Sequence, residues 1–153
     1  MLEFLSNELA QAIKASIKNP EEYIFTNVPR RRESAKKYGL DHAAALSRSL
    51  AKKFGAEYKS LLTSKAKRAQ KKMSGNDRAS NAKFVIKKNA EDLGKKNVIL
   101  VDDIVTTGAS MGNSAILISS LTKGKIVGAA ISIAYKDPYT PLDSSDRFTN
   151  RKG

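Results

Sequence analysis

The stretch from Asn97 to Ser110, NVILVDDIVTTGAS, constrains the fold of this chain more than any other feature. Its apolar run Val98–Val101 leads into two adjacent aspartates, and a turn rich in threonine and glycine then opens a segment with helical spacing. This order predicts a buried strand, a loop that carries the acids, and a helix. Acids at a strand end and hydroxyls at a helix start are well placed to receive a ligand.

The residue types of this stretch suit a sugar phosphate. Backbone N–H groups at a helix start lack partners within the helix and lie at the positive end of its dipole, so they favour a phosphate. The residues predicted to bind it are Thr106, Thr107, Gly108, Ala109 and Ser110. Asp102 and Asp103 can accept hydrogen bonds from sugar hydroxyls, directly or through a divalent cation. The alternative is a Rossmann-like protein in which the hydroxyls only cap the helix.

The run VILVDDIVTTGAS resembles the signature of type I phosphoribosyltransferases. In that family the paired acids and the following turn bind the ribose and the 5′-phosphate of phosphoribosyl pyrophosphate (PRPP). The resemblance implies an α/β fold: a Rossmann-like parallel sheet flanked by helices, with a flexible lid loop. It also implies that Asp102 and Asp103 are the catalytic acids and that the cofactor is Mg²⁺, which they would contact indirectly through PRPP hydroxyls or water.

A run of three arginines follows the first predicted strand, Tyr23–Val28. Ligands of open α/β sheets gather beyond the carboxyl ends of the strands, and guanidinium groups bind phosphates with bidentate geometry. Arg30, Arg31 and Arg32 are therefore predicted to bind pyrophosphate. A solvated charged face is the alternative for such a run.

The segment VPRRRESAKKYGLDHAAALSRSLAKKFG resembles the ComF-type competence branch, which is amidophosphoribosyltransferase-like. An Asn-Gln pair of that branch is replaced here by Asp41 and His42. We expect His42, near the start of a helix, to be a surface or capping residue.

Residues 64–81 are polar and basic, and they resemble the ComF-type pattern RxxxQKxLSxxxRxxN. By that resemblance they form the lid that closes over PRPP and shields the reactive carbon from water. Lys71, Lys72 and Arg78 would add to the pyrophosphate site. An ordinary solvated loop is the alternative.

The whole chain, 1–153, is predicted to be one domain, with an N-terminal helix or hood at 1–20 and a loop-rich tail at 137–153. Hydrophobic spacing and turn signals predict the other elements. These are helices at Leu2–Lys18, Leu40–Phe54 and Met111–Leu121, strands at Tyr23–Val28, Tyr58–Thr63, Lys83–Lys87, Val98–Val101 and Ile126–Tyr135, and a turn or short helix at Asn89–Gly94. The resemblance covers about Tyr23 to Lys136. ComF-type proteins usually also carry an N-terminal cysteine-rich zinc module, and this sequence, which has no cysteine, contains none.

The composition of the chain restricts the kinds of ligand and partner that it can bind. With 28 Lys and Arg against 15 Asp and Glu, the formal charge of +13 implies an anionic partner. The sequence has no cysteine and one histidine, which excludes disulfides and thiolate or histidine-cluster metal sites. No apolar run is long enough to span a membrane, and the first residues do not resemble a secretion signal. We therefore expect a cytoplasmic protein that does not bind membranes.

The acceptor of a phosphoribosyl transfer is less well defined. Purine phosphoribosyltransferases commonly carry an acid where Thr106 stands, and a hydroxyl cannot replace it as proton acceptor. The sequence thus predicts PRPP binding with Mg²⁺ and transfer to a non-purine nucleophile, with release of pyrophosphate. Two alternative functions stay open: a non-catalytic PRPP-sensing regulator, and a nucleic-acid-binding or DNA-uptake accessory protein. The protein could form a homodimer in any of these functions.

Overall fold

The computed structural model describes residues 1–30, 41–65 and 84–133. Its helices are α1 (Leu2–Ser16), a short 3-10 helix (Pro20–Glu22), α2 (His42–Phe54) and α3 (Ala109–Ile118). Its strands are β1 (Ile24–Asn27), β2 (Glu57–Tyr58), β3 (Leu62–Ser64), β4 (Phe84–Ile86), β5 (Val98–Val105) and β6 (Ile126–Ile133).

A four-stranded parallel sheet forms the centre, in the order β2-β1-β5-β6. Strands β3 and β4 pair with each other in a separate antiparallel ribbon. Parallel strands need crossover connections, and here α2 joins β1 to β2 while α3 joins β5 to β6. The predicted α/β class, a parallel sheet flanked by helices, is confirmed.

Both faces of the sheet are covered, so the central strands are apolar on both sides. Val98 and Leu100 of β5 belong to a cluster that includes Ile118 of α3 and residues of the ribbon. Ile99 and Val101 point the other way, into a cluster with α1 and α2. The four residues Val98–Val101 are 0% exposed. The two helices that follow β1 and β5 therefore lie on opposite faces of the sheet.

The predicted N-terminal helix is confirmed as α1, which packs against α2 and β6. It buries Leu9 and Ile13 and ends at Ser16, two residues before its predicted end. No described residue of α1 lines the cleft introduced below, so its role as a hood stays a prediction. Within the described ranges, no helix is long and apolar enough to cross a membrane.

One predicted strand, Tyr58–Thr63, is wrong because the chain changes partners in the middle of it. The N–H of Lys59 still donates to the carbonyl of Phe25 in the central sheet, but the carbonyl of Leu61 accepts from Lys87 beside the ribbon. The segment thus splits into β2 and β3. Ser64, placed in the predicted lid, is the last residue of β3.

The end of the strand in the opening motif is also corrected. Strand β5 runs through both aspartates to Val105, because β6 pairs alongside it with Asp102 opposite Ala130 and Ile104 opposite Ser132. Helix α3 begins at Ala109 and ends at Ile118, two to three residues earlier at each end than predicted. The acids therefore lie on the strand itself and not on a loop after it.

Other predictions fall wholly or partly outside the described residues. Most of the predicted lid, 66–81, and the tail, 137–153, are in this group. The last predicted strand is confirmed as β6 up to Ile133.

Gly124 and Gly112 offer a matched test of the packing beside β5. A Cβ atom at Gly124 would lie 2.3 Å from the carbonyl oxygen of Lys96, whereas one at Gly112 in α3 would meet nothing within 4 Å. We expect Gly124→Ala to lower the free energy of unfolding by about 1–3 kcal/mol, since backbone must move. Gly112→Ala should raise it by about 0.5–1 kcal/mol. Urea unfolding measures both, and equal effects would contradict this packing.

Candidate ligand-binding cleft

The strand order creates one natural crevice, between β1 and β5. The chain leaves β1 through α2 toward β2 on one side, and leaves β5 through α3 toward β6 on the other. The two connections part at this point, and such a switch point, beyond the carboxyl ends of the strands, is where open α/β sheets bind ligands. Strand β1 ends there at Asn27, which is in register with Val101, so Asp102 and Asp103 of β5 lie just beyond the end of β1.

A cleft of about 230 Å³ opens at this place. It is lined from five parts of the chain, by Val28, Pro29, Arg30, Asp41, His42, Ala43, Phe84, Asp102, Asp103 and Ser110. Four residues predicted for the site thus come together: Arg30, Asp102, Asp103 and Ser110. The roles assigned to them stay predictions.

The two aspartates are held by the backbone that follows them. Oδ1 of Asp102 accepts from the N–H of Asp103 at 2.8 Å, and Oδ1 of Asp103 accepts from the N–H of Ile104 at 2.8 Å. Burial is the main reason that the pKa of Asp102 is raised to about 7. A side-chain contact with Asp103 and the negative charges of Asp103 and Asp41 add to it, whereas the N–H of Asp103 opposes it. The cleft therefore holds a carboxyl group that titrates near neutral pH.

The predicted phosphate-binding residues surround a smaller hollow of about 30 Å³ next to the cleft. It is lined by Asp102, Val105, Thr106, Thr107, Gly108, Ala109, Ser110 and Met111. Gly108 precedes α3 with a φ of 79°, a left-handed conformation that glycine adopts without strain. The hydroxyl of Thr107 accepts from the N–H of Ala109 at 3.2 Å. Asp102 and Ser110 line both spaces, so the acids and the start of α3 form one continuous site.

Sequence reasoning missed Asp41 as a site residue. It caps α2, with its Oδ1 accepting from the N–H of Ala44 at 3.0 Å. An aspartate directly before a segment with helical apolar spacing is an N-cap signal, so the capping role of Asp41 could have been predicted from the sequence.

His42 follows in the first turn of α2 and lines the cleft, although it was expected to be only a surface or capping residue. Phe84, the first residue of β4, contributes from the ribbon side, and no sequence signal pointed to it. Of the remaining predicted pyrophosphate ligands, Arg31, Arg32, Lys71, Lys72 and Arg78 lie outside the described residues.

Comparison with known proteins gives likenesses in structure only. No family model and no curated protein matches the chain. It is similar to adenine phosphoribosyltransferase from Saccharomyces cerevisiae, with 22% identity and a TM-score of 0.49, over 87% of this chain and 66% of that one. It is also similar to purine phosphoribosyltransferase from Pyrococcus horikoshii, with 16% identity and a TM-score of 0.49, over 92% of each chain. The α/β class of the chain follows from its own strand order.

The raised pKa of Asp102 predicts how stability changes with pH. Between the ordinary aspartate value of 3.8 and about 7, the folded state keeps a proton that the unfolded state has lost, so this group's contribution to stability falls as pH rises through that window. Asp102→Asn removes the charge. We expect the variant to melt on the order of 3 °C higher than the wild type at pH 8, the shift that about 1 kcal/mol produces in a domain of this size.

The gain should grow between pH 4 and pH 7 and stay level above about pH 7. Glu8→Gln is the control, since it removes an exposed acid on α1, away from the cleft. Calorimetric melting at several pH values gives the answer. A gain that does not change with pH would show that the Asp102 carboxyl is not protonated in the folded state.

Proposed function

We propose that this chain binds PRPP and transfers its phosphoribosyl group to a non-purine nucleophile, with release of pyrophosphate. The proposal includes membership of the ComF-type branch of type I phosphoribosyltransferases and a cytoplasmic location. One observation carries it: the paired acids of β5, the start of α3 and the turn after β1 meet in one cleft at the switch point of the sheet.

Each part of PRPP has a chemically suitable wall in this cleft. The N–H groups at the start of α3, with the hydroxyls of Thr106, Thr107 and Ser110, suit the 5′-phosphate. Asp102 and Asp103 lie next to them, where ribose hydroxyls would follow the 5′-phosphate. Arg30 lies in the same cleft and suits the pyrophosphate.

The distribution of charge supports an anion at this place. The sequence segments 31–40 and 66–83 together carry ten Lys and Arg against two acids. Arg30 and Asp41, which flank the first segment, and Phe84, which follows the second, all line the cleft. The proposal therefore assigns pyrophosphate binding to Arg31, Arg32, Lys71, Lys72 and Arg78 together with Arg30.

In the proposed reaction, the bond between C1 of the ribose and the pyrophosphate oxygen breaks, and the nucleophile forms a bond to C1. The electron pair of the broken bond leaves with pyrophosphate, and positive charge develops on the sugar ring. The carboxylates of Asp102 and Asp103 would stabilise this charge, and the cationic residues would stabilise the leaving group. No covalent intermediate with the protein is needed.

Magnesium fits the site as an ion that arrives on the ligand. Among the described residues, no three acidic, histidine or cysteine side chains gather in a way that could hold a metal. Asp102 and Asp103 both line the cleft, but two carboxylates are too few ligands to form a closed cage around the ion. When bound through PRPP oxygens, Mg²⁺ would neutralise charge on the pyrophosphate.

The identity of Thr106 supports an acceptor other than a purine. It lines the hollow at the start of α3, and its hydroxyl cannot take the proton that an acid takes at this position in purine enzymes. An amine, ammonia or a pyrimidine remains as the acceptor class.

Thermal melting tests the proposal directly. PRPP with Mg²⁺ at about 100 times its Kd should stabilise the wild type by about 2.7 kcal/mol, or roughly 5–10 °C. The double variant Asp102→Asn with Asp103→Asn should lose this ligand-induced shift, because two acceptors for the ribose hydroxyls are gone.

The matched control is Glu21→Gln with Glu22→Gln, which likewise replaces two neighbouring acids by amides, at exposed positions of the 3-10 helix. It should keep the full shift. If saturating PRPP does not move the melting point of the wild type, PRPP binding is refuted. Pyrophosphate release, followed with candidate acceptors in the same samples, separates an enzyme from a PRPP-sensing regulator.

A further inference from the structure

The turn that follows β1 is held by side chains from three different elements. Strand β1 ends at Asn27, and the next three residues, Val28 to Arg30, form one wall of the cleft. Beyond the strand, the carbonyl groups of this turn need partners other than the sheet ladder. Every second carbonyl from Thr26 to Arg30 accepts a hydrogen bond from a side chain.

The first two of these bonds fix the end of β1. The hydroxyl of Ser47 on α2 donates to the carbonyl of Thr26 at 3.0 Å. The amide nitrogen of Asn27 donates to the carbonyl of Val28 at 3.2 Å. Because a carbonyl can only accept, this contact sets the orientation of the Asn27 amide and turns its oxygen toward Tyr58.

Tyr58 supplies the donor that this oxygen needs. Its hydroxyl donates to Oδ1 of Asn27 at 2.7 Å, and the Arg48 guanidinium lies 5.1 Å above its ring. Asn27 is 7% exposed, so loss of the Tyr58 hydroxyl would leave a buried amide oxygen without that partner. The edge strand β2 is thereby coupled to the wall of the cleft.

The third carbonyl, that of Arg30, accepts from the hydroxyl of Ser64. Ser64 is the last residue of β3 and is buried. This bond connects the backbone of a cleft residue to the ribbon. The turn is thus held at its start by β2 and α2 and at its end by β3.

We propose that Asn27, Tyr58 and Ser64 are positioning residues, which hold the turn Val28–Arg30 in its ligand-receiving shape before any ligand arrives. They would touch neither PRPP nor the reacting atoms. A wall that is already ordered does not lose conformational freedom on binding, so the network strengthens binding without contacting the ligand. The inference rests on the proposed function for the identity of the ligand.

Two readouts test this role: the affinity for PRPP with Mg²⁺, and the hydrogen exchange of the Val28 and Arg30 amides in the free protein. Tyr58→Phe and Ser64→Ala each remove one hydroxyl. We expect each to weaken PRPP binding by roughly three- to tenfold, the effect of one lost hydrogen bond. We also expect each to speed the exchange of the two amides while the protein stays folded.

One control variant keeps the hydroxyl group at its position, and the other removes a hydroxyl group outside the network. Ser64→Thr retains the hydroxyl in a strand and should restore both readouts. Tyr23→Phe removes the hydroxyl of another partly buried tyrosine that packs on the same cluster as Tyr58; it should leave both unchanged. Unchanged exchange in both Tyr58→Phe and Ser64→Ala would overturn the positioning role. Faster exchange in a protein that binds no PRPP would support that role and refute the proposed function instead.

Discussion

The parallel pairing of β1 with β5 is the interaction on which the rest of this structure depends. Four residue pairs, from Ile24 opposite Val98 to Asn27 opposite Val101, join two strands whose apolar side chains are buried on both faces. Their shared register places Asp102 and Asp103, the next two residues of β5, just beyond the end of β1. The turn with Arg30 and the acids Asp102 and Asp103, which are about seventy residues apart in the chain, therefore face the same cleft.

One residue of the candidate site, Asp102, lowers the stability of the free protein when it is ionised. Asp102 lies on a buried strand beside two other acids, and burial and repulsion together raise its pKa to about 7. A neutral residue would suit this position better in the free protein. A bound cation, or a sugar that carries positive charge, would offset the repulsion between Asp102 and its acidic neighbours. A carboxyl group at this position is therefore typical of a functional site. The same physical feature thus links the stability of the fold to its proposed chemistry.

Much of the fold was predictable because its central elements have strong local patterns. The apolar runs of β1, β5 and β6 are short and rich in β-branched residues, which favours buried strands, and the spacing of α1 and α2 indicates amphipathic helices. Which strands pair with each other could not be predicted from such local patterns. Nothing local in Tyr58–Thr63 shows that Tyr58 joins the central sheet and Leu62 the ribbon, and β5 continues through two aspartates only because β6 lies alongside.

The residues of the candidate site that belong to the motif or follow the first strand could be predicted from the sequence, whereas those that tertiary packing brings in could not. Asp102, Asp103, Arg30 and Ser110 were found because motif and strand order place them at the same edge. Phe84 enters from the ribbon, whose position depends on tertiary contacts, and the Tyr58–Asn27 hydrogen bond spans 31 residues of sequence. Asp41 could have been predicted as a helix cap, but its place beside Asp102 depends on how α2 packs on the sheet.

The central claim is that one cleft binds all parts of PRPP at once. A titration with PRPP and Mg²⁺, followed by the NMR shifts of backbone amides, tests it most directly. We predict that the amides of Val28 and Arg30, of Asp102 and Asp103, and of Thr106 to Ser110 shift together and saturate at one common Kd. Shifts confined to other parts of the chain, or no saturable shift at all, would contradict the account.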